Sequence, residues 1–149
     1  IFALSIQSYS YSFEKNNHRN PYAYVHPTED VFIISNKIND IASVLANEIN
    51  FSVFTIAKGN DYWPLPWYLR NLDNSGYWDH VPNNVQSASV IIITPDLEND
   101  LIDRIYNNAR PGLSSLFIPL FDEMIELRPG FKINTWIKKD IYDLYTRLL

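Results

Sequence analysis

The sequence predicts an α/β domain in a three-layer α/β/α arrangement: a mixed sheet of about four to five strands, helices on both faces, and an antiparallel pair near the C-terminus. Three stretches carry that prediction. Val31, Ile34, Ile38, Ile41, Leu45 and Ile49 recur at spacings of 3, 4, 3, 4 and 4, which is one face of an α-helix. Residues 88–94 (ASVIIIT) hold a continuous run of Val and Ile, the mark of a strand buried on both faces in mid-sheet. In residues 131–138, Phe131, Ile133, Thr135 and Ile137 alternate with Lys132, Asn134, Trp136 and Lys138, the period-two pattern of a strand with unlike faces.

The elements follow in chain order. Residues 1–6 (IFALSI) are apolar and stop abruptly; they read either as an ordinary first element or as the last turns of a transmembrane helix. No apolar run reaches the roughly 20 residues that span a bilayer. Residues 16–27 are polar and carry two prolines, so they read as a loop. Thr28 is a suitable N-cap for the first long helix, with Glu29 and Asp30 at the positive end of its dipole and an end near Asn50. Residues 51–57 (FSVFTIA) read as a strand ended by Lys58 and Gly59. Pro64 and Pro66 forbid a long helix before residue 66 and allow a short one beginning there. Residues 76–81 suit a short edge strand. Pro95 and Asp96 open a helix with Leu97, Leu101, Ile102 and Ile105 on one face. Residues 116–127 read as a strand followed by an irregular segment, Pro119 arguing against an unbroken central strand. Residues 128–130 form a turn, and a last helix over 139–149 turns Ile141, Leu144, Tyr145 and Leu148 inward.

Composition narrows the chemistry. A net charge of −5 and twelve scattered basic residues leave no phosphate-binding stripe, which argues against nucleic acid as a partner. The absence of cysteine removes disulfides, thiolate metal sites and a Cys nucleophile. Four glycines make neither a dinucleotide fingerprint nor a P-loop, so no nucleotide cofactor is expected. His18, His26 and His80 stand at no metal-ligand spacing, and no metal is expected. Ser114 and Ser115 follow Gly112 but open no helix, and they read as turn serines rather than a nucleophile. The acid/base candidates are Asp61, Asp79 and His80, beside the tryptophans; a carboxylate pair about 5–10 Å apart performs glycosidic chemistry. The densest local feature is aromatic. Tyr62, Trp63, Trp67, Tyr68, Tyr77 and Trp78 fall within seventeen residues and hold three of the four tryptophans, with Arg70 among them. Such rings pack a short helix against a sheet, stack on sugars, sit at a membrane interface or anchor protein contacts.

Residues 61–70 (DYWPLPWYLR) followed by Gly76, Tyr77 and Trp78 resemble the signature of large archaeal and bacterial membrane proteins. These are the flippase-activity-associated proteins, similar to dolichyl-phosphate-mannose–protein mannosyltransferases. Residues 19–28 (RNPYAYVHPT) resemble the stretch that opens their soluble tail, and Leu127, Arg128, Pro129 and Gly130, with Lys138, Lys139 and Asp140 beyond, resemble its ending. The matches keep their order over residues 19–140. The resemblance implies one extracytoplasmic domain over residues 1–149, with residues 1–15 at the exit of a truncated transmembrane helix. It implies a membrane-anchored parent whose sugar-transfer site lies elsewhere, so no catalytic residue carries over. The partners it implies are the transmembrane part of the same chain and a polyprenyl-phosphate sugar or glycan. Tyr62, Trp63, Trp67, Tyr68, Arg70, Tyr77 and Trp78 are then binding candidates. The alternative is a small free-standing α/β hydrolase using Asp61, Asp79 and His80.

Overall fold

The computed structural model describes residues 2–9, 27–59, 61–107 and 115–149. The two strands richest in β-branched residues form its centre. In β1 (Val53–Ile56) and β3 (Val90–Ile93) every side chain is buried. β2 (Ser75–Trp78) pairs with β1 in parallel on the outer side and forms one edge of the sheet. β3 pairs with β1 in parallel on the other side. β6 (Phe131–Lys138) then runs antiparallel to β3, and β4 (Phe117–Pro119) closes the far edge antiparallel to β6. The order is β2-β1-β3-β6-β4, with β5 (Ile125–Arg128) forming a hairpin on the N-terminal part of β6. Gly130 makes that turn at φ +83°, a conformation that L side chains rarely adopt. Pro119 is the last residue of an edge strand, where its missing N–H costs no ladder bond.

Helices cover both faces because alternate strand residues are apolar on both. On one face lie α2 (Asp30–Leu45), the single turn α3 (Leu65–Tyr68) and α5 (Lys139–Leu148). Val31, Ile34, Ile38, Ile41 and Leu45 of α2 join Leu65, Leu69 and Tyr145 over Val53, Val90, Ile92 and Ile137. Each aliphatic side chain so buried contributes about 1.5–3 kcal/mol. On the other face, Phe54, Ile56, Ile91 and Ile93 meet Val81, Val85, Ala88, Leu97, Leu101 and Ile105. Leu101 belongs to α4 (Glu98–Ile102), which continues as a π-turn over Asp103–Asn107. The β1–β2 connection crosses one face and the β2–β3 connection the other, which makes this a doubly covered α/β sheet. A polar clasp joins α2 to α5: the Tyr145 hydroxyl donates to Asp40, and Lys37 Nζ donates to that hydroxyl at 3.0 Å.

Several local expectations need correction. α2 ends at Leu45, well before Asn50, because the Leu45 carbonyl takes both the Glu48 and Ile49 N–H groups and turns the chain toward β1. Thr28 does not cap α2. Its hydroxyl donates to the Glu126 carbonyl and its N–H to that of Leu127 at 3.0 Å, so it ties the helix entrance to β5. Ile102 is exposed: Leu97, Leu101 and Ile105 point inward at spacings of four, and Ile102, about 100° around the helix from Leu101, falls off that line. Leu148 and Phe131 are also exposed, the first in the last turn of α5 and the second at the start of β6. The N-terminal stretch forms a short helix, α1 (Phe2–Tyr9), with Leu4, Ile6 and Tyr9 exposed. Among the described residues no helix is long and apolar enough to cross a membrane. Residues 10–15 and most of the predicted 16–27 loop, with His18 and His26, lie outside the described residues.

Candidate functional site

The aromatic cluster divides in two, and backbone placement decides which half each ring joins. After β1 the chain turns at Gly59, at φ +58°, and runs through Asp61 and Tyr62 to a cis Trp63–Pro64 peptide and α3. Leu65 and Leu69, four apart, face the core and are fully buried. That fixes Trp67 on the opposite side of the turn, where it is 61% exposed, and Trp63 just before it is 47% exposed. Arg70 is exposed too. Its guanidinium stacks 4.7 Å from the Trp67 ring centre while Nη1 donates to the Trp67 carbonyl at 2.7 Å. Tyr68, half-buried, meets Phe32 edge-on at 5.3 Å, and Phe32 and Ile33 of α2 are themselves half exposed.

The other rings pack inward. Tyr77 lies 5.1 Å from Tyr62, and burial pushes its hydroxyl above the ordinary tyrosine pKa. Trp78 folds back over Gly76 and rests on Phe54 with centres 4.3 Å apart. Of the seven binding candidates, Trp63, Trp67 and Arg70 therefore face solvent, and Tyr62, Tyr68, Tyr77 and Trp78 are half-buried.

Arg128 holds the loop that carries Asp61 and Trp63. It sits on the β5–β6 turn with its side chain only 15% exposed. Nη2 donates to Asp61 Oδ1 at 2.7 Å, Nη1 reaches the Trp63 carbonyl at 3.4 Å, and the guanidinium lies 3.8 Å from the Phe131 ring centre. The first two contacts fix the loop before α3 to the far hairpin, and the third rests the guanidinium on a ring of the hairpin itself. Arg128→Gln is expected to lower stability by about 1–2 kcal/mol, between a surface ion pair and a buried charged hydrogen bond. It should also raise protease sensitivity near residues 61–64, read by limited proteolysis.

The acid/base candidates do not converge. Asp61 is taken by Arg128. Asp79 and His80 pair with each other at 2.5 Å, and both are largely exposed. The His80 hydrogen bond holds the Asp79 carboxyl below its usual pKa. His80 borders a cleft of about 430 Å³ together with Asp100, Asp103 and Arg104. A second cleft, of about 520 Å³, lies against β6, between Glu98 and the 119–124 connection. Asn134 donates there to both Glu98 oxygens at 2.9 Å, and Trp136 forms part of the wall. No group of three or more His, Asp or Glu suited to a metal ion occurs among the described residues. Ser115 is half-buried beside β4, and Ser114 and Gly112 lie outside the described residues.

At the carboxyl ends of β1 and β3, Lys58 and Asp96 form an exposed ion pair at 2.9 Å. The neighbouring Thr94 hydroxyl and the Lys58 ammonium lower the Asp96 pKa, and the bond to Asp96 raises that of Lys58. A depressed carboxylate contributes stability above its unfolded pKa and loses it as pH falls through the folded value. A raised lysine contributes below its unfolded pKa and loses it as pH rises through the folded value. The pair is thus intact between the ordinary carboxylate and lysine ranges, from about pH 4 to pH 10. A carboxyl-observed NMR titration should find Asp96 below the usual carboxylate value, and Lys58→Met should move it back up.

Phe32, Ile33, Arg128 and Phe131 were not singled out as site residues from sequence. Phe32 and Ile33 had a signal, being large apolar residues of α2 that fall outside its buried face. Comparison of the chain with protein-family models, with curated proteins and with solved structures returned no match.

Proposed function

We propose that this chain is a non-catalytic, extracytoplasmic accessory domain of a polytopic, glycosyltransferase-like membrane protein. The ridge of Trp63, Trp67 and Arg70 is its working surface, turned toward the membrane part of the parent and its polyprenyl-phosphate sugar or glycan. The observation that carries the reading is the orientation of two indoles. A domain this size has core enough to bury them, yet α3 turns Leu65 and Leu69 inward and leaves Trp63 and Trp67 outside. Exposed tryptophans beside a cation are the residues that anchor contacts and stack on sugars. The ordered sequence resemblance over residues 19–140 supplies the membrane and sugar context.

The exposed Asp79–His80 pair beside its cleft favours a second reading, a free-standing α/β hydrolase. Against it, Asp61 is committed to Arg128 rather than to that pair. Two experiments separate the readings. The coding sequence upstream of Ile1 should encode about a dozen apolar spans of about 20 residues; a start codon at or just before Ile1 would overturn the accessory-domain reading. Titration with polyprenyl-phosphate sugars or short glycans should shift the tryptophan fluorescence. An unmoved signal, together with ester or glycoside hydrolysis abolished by His80→Ala, would favour the hydrolase.

A further inference from the structure

We infer that the Trp63–Trp67–Arg70 ridge docks directly on the interfacial layer of a phospholipid bilayer, with the indoles at the glycerol level and the Arg70 guanidinium on a lipid phosphate. The inference rests on the extracytoplasmic reading above and deepens it by naming what the ridge touches.

The charge arrangement selects this occupant. Arg70 pairs with no carboxylate among the described residues; its hydrogen bond is to the Trp67 carbonyl, and its plane lies on the Trp67 ring. Against an apolar protein face the guanidinium would lose water without gaining a counter-charge, which is unfavourable. A neutral glycan would occupy the indole faces and leave the guanidinium unused. A bilayer interface meets both needs together: phosphate oxygens for Arg70, and the boundary layer where indole rings are enriched. Tyr68, next to Trp67 in sequence, meets Phe32 edge-on, and Phe32 and Ile33 of α2 are themselves half exposed. The chain carries a net charge of −5, so the attraction comes from the rings and one local cation rather than from a polybasic field. Zwitterionic phosphatidylcholine should therefore suffice, and anionic lipid should add nothing.

The domain is mixed with phosphatidylcholine vesicles, and association is read by flotation and by the blue shift of tryptophan emission. Wild type should float with the vesicles and shift. Trp63→Ala/Trp67→Ala should lower association at least tenfold while retaining the wild-type circular dichroism spectrum, and Arg70→Gln should lower it severalfold. Soluble phosphocholine should give no shift, since it lacks the apolar layer. Three results would overturn the inference: no flotation of wild type at millimolar lipid, flotation that survives the double substitution, or a shift given equally by soluble phosphocholine. Vesicles doped with a polyprenyl-phosphate sugar separate the two claims. If only doped vesicles bind, lipid docking fails and the sugar-binding reading stands.

Discussion

Replacing Ile92 with alanine is expected to destabilise the domain by about 2–5 kcal/mol, the range for deleting a buried aliphatic side chain and leaving a cavity. Ile92 sits in the middle of β3, fully buried, with Thr55 of β1 and Thr135 of β6 as its register partners. Its side chain belongs to the core under α2 and α5, so the loss is felt by a strand and two helices together. Neighbouring backbone cannot close the gap, because both adjacent strands are fixed by their ladders. In a domain of this length each kcal/mol lowers the midpoint by about 2–4 °C, so the variant should melt roughly 10 °C below wild type in a thermal scan. Ile91→Ala tests the opposite face, where Phe54, Ile56 and Ile93 are its neighbours, and should fall in the same range.

The second large effect is at Gly76. A Cβ there would lie 2.9 Å from Trp78 Cζ2 and closer still to Cζ3 and Cη2. Gly76→Val must therefore push the indole off the sheet and away from Phe54, uncovering one end of the second core. Overpacking of this kind costs about 1–3 kcal/mol. Because the obstruction is one side chain, the cost should vanish when that side chain is removed. In a Trp78→Ala background Gly76→Val should be neutral or stabilising, since a β-branched residue suits a strand better than glycine. The double-mutant cycle in urea should return a coupling of about 1–3 kcal/mol. Additive effects would mean that Trp78 does not lie over Gly76.

These two sites also show what was legible in the sequence. The run of Val and Ile within residues 88–94 dictated a central strand because a strand with neighbours on both sides and helices on both faces buries its side chains. Burial favours apolar β-branched residues, even though Thr55 and Thr135 place hydroxyls beside this strand. The periodicity of α2 held for the same reason, over five of its six apolar positions. What failed was local. Ile102 carried an apolar label, but it directly follows Leu101 and so lies about 100° around the helix from the buried line of Leu97, Leu101 and Ile105. Thr28 is a good cap by type, yet a strand carbonyl distant in sequence took its hydroxyl.

The site was legible in kind and not in orientation. Tyr62, Trp63, Trp67, Tyr68, Tyr77 and Trp78 stood out as a cluster, but which rings face water depends on the phase of a single helical turn and on which face of β2 a side chain leaves. Leu65 and Leu69 set that phase for Trp67; Gly76 made room for Trp78. Arg128 belonged to a motif noticed for its turn. Its grip on Asp61 and on the Trp63 carbonyl joins segments more than sixty residues apart, which no local pattern encodes.

The central claim is that Trp63 and Trp67 lie on the outside of this domain for an external contact and contribute little to holding it together. Equilibrium urea unfolding of the Trp63→Ala/Trp67→Ala variant, beside wild type and Ile92→Ala, tests this directly. The double variant should unfold within about 1 kcal/mol of wild type with the same denaturant slope. A loss comparable to that of Ile92→Ala would mean that the two indoles are part of the core, and the ridge would have no claim to be a working surface.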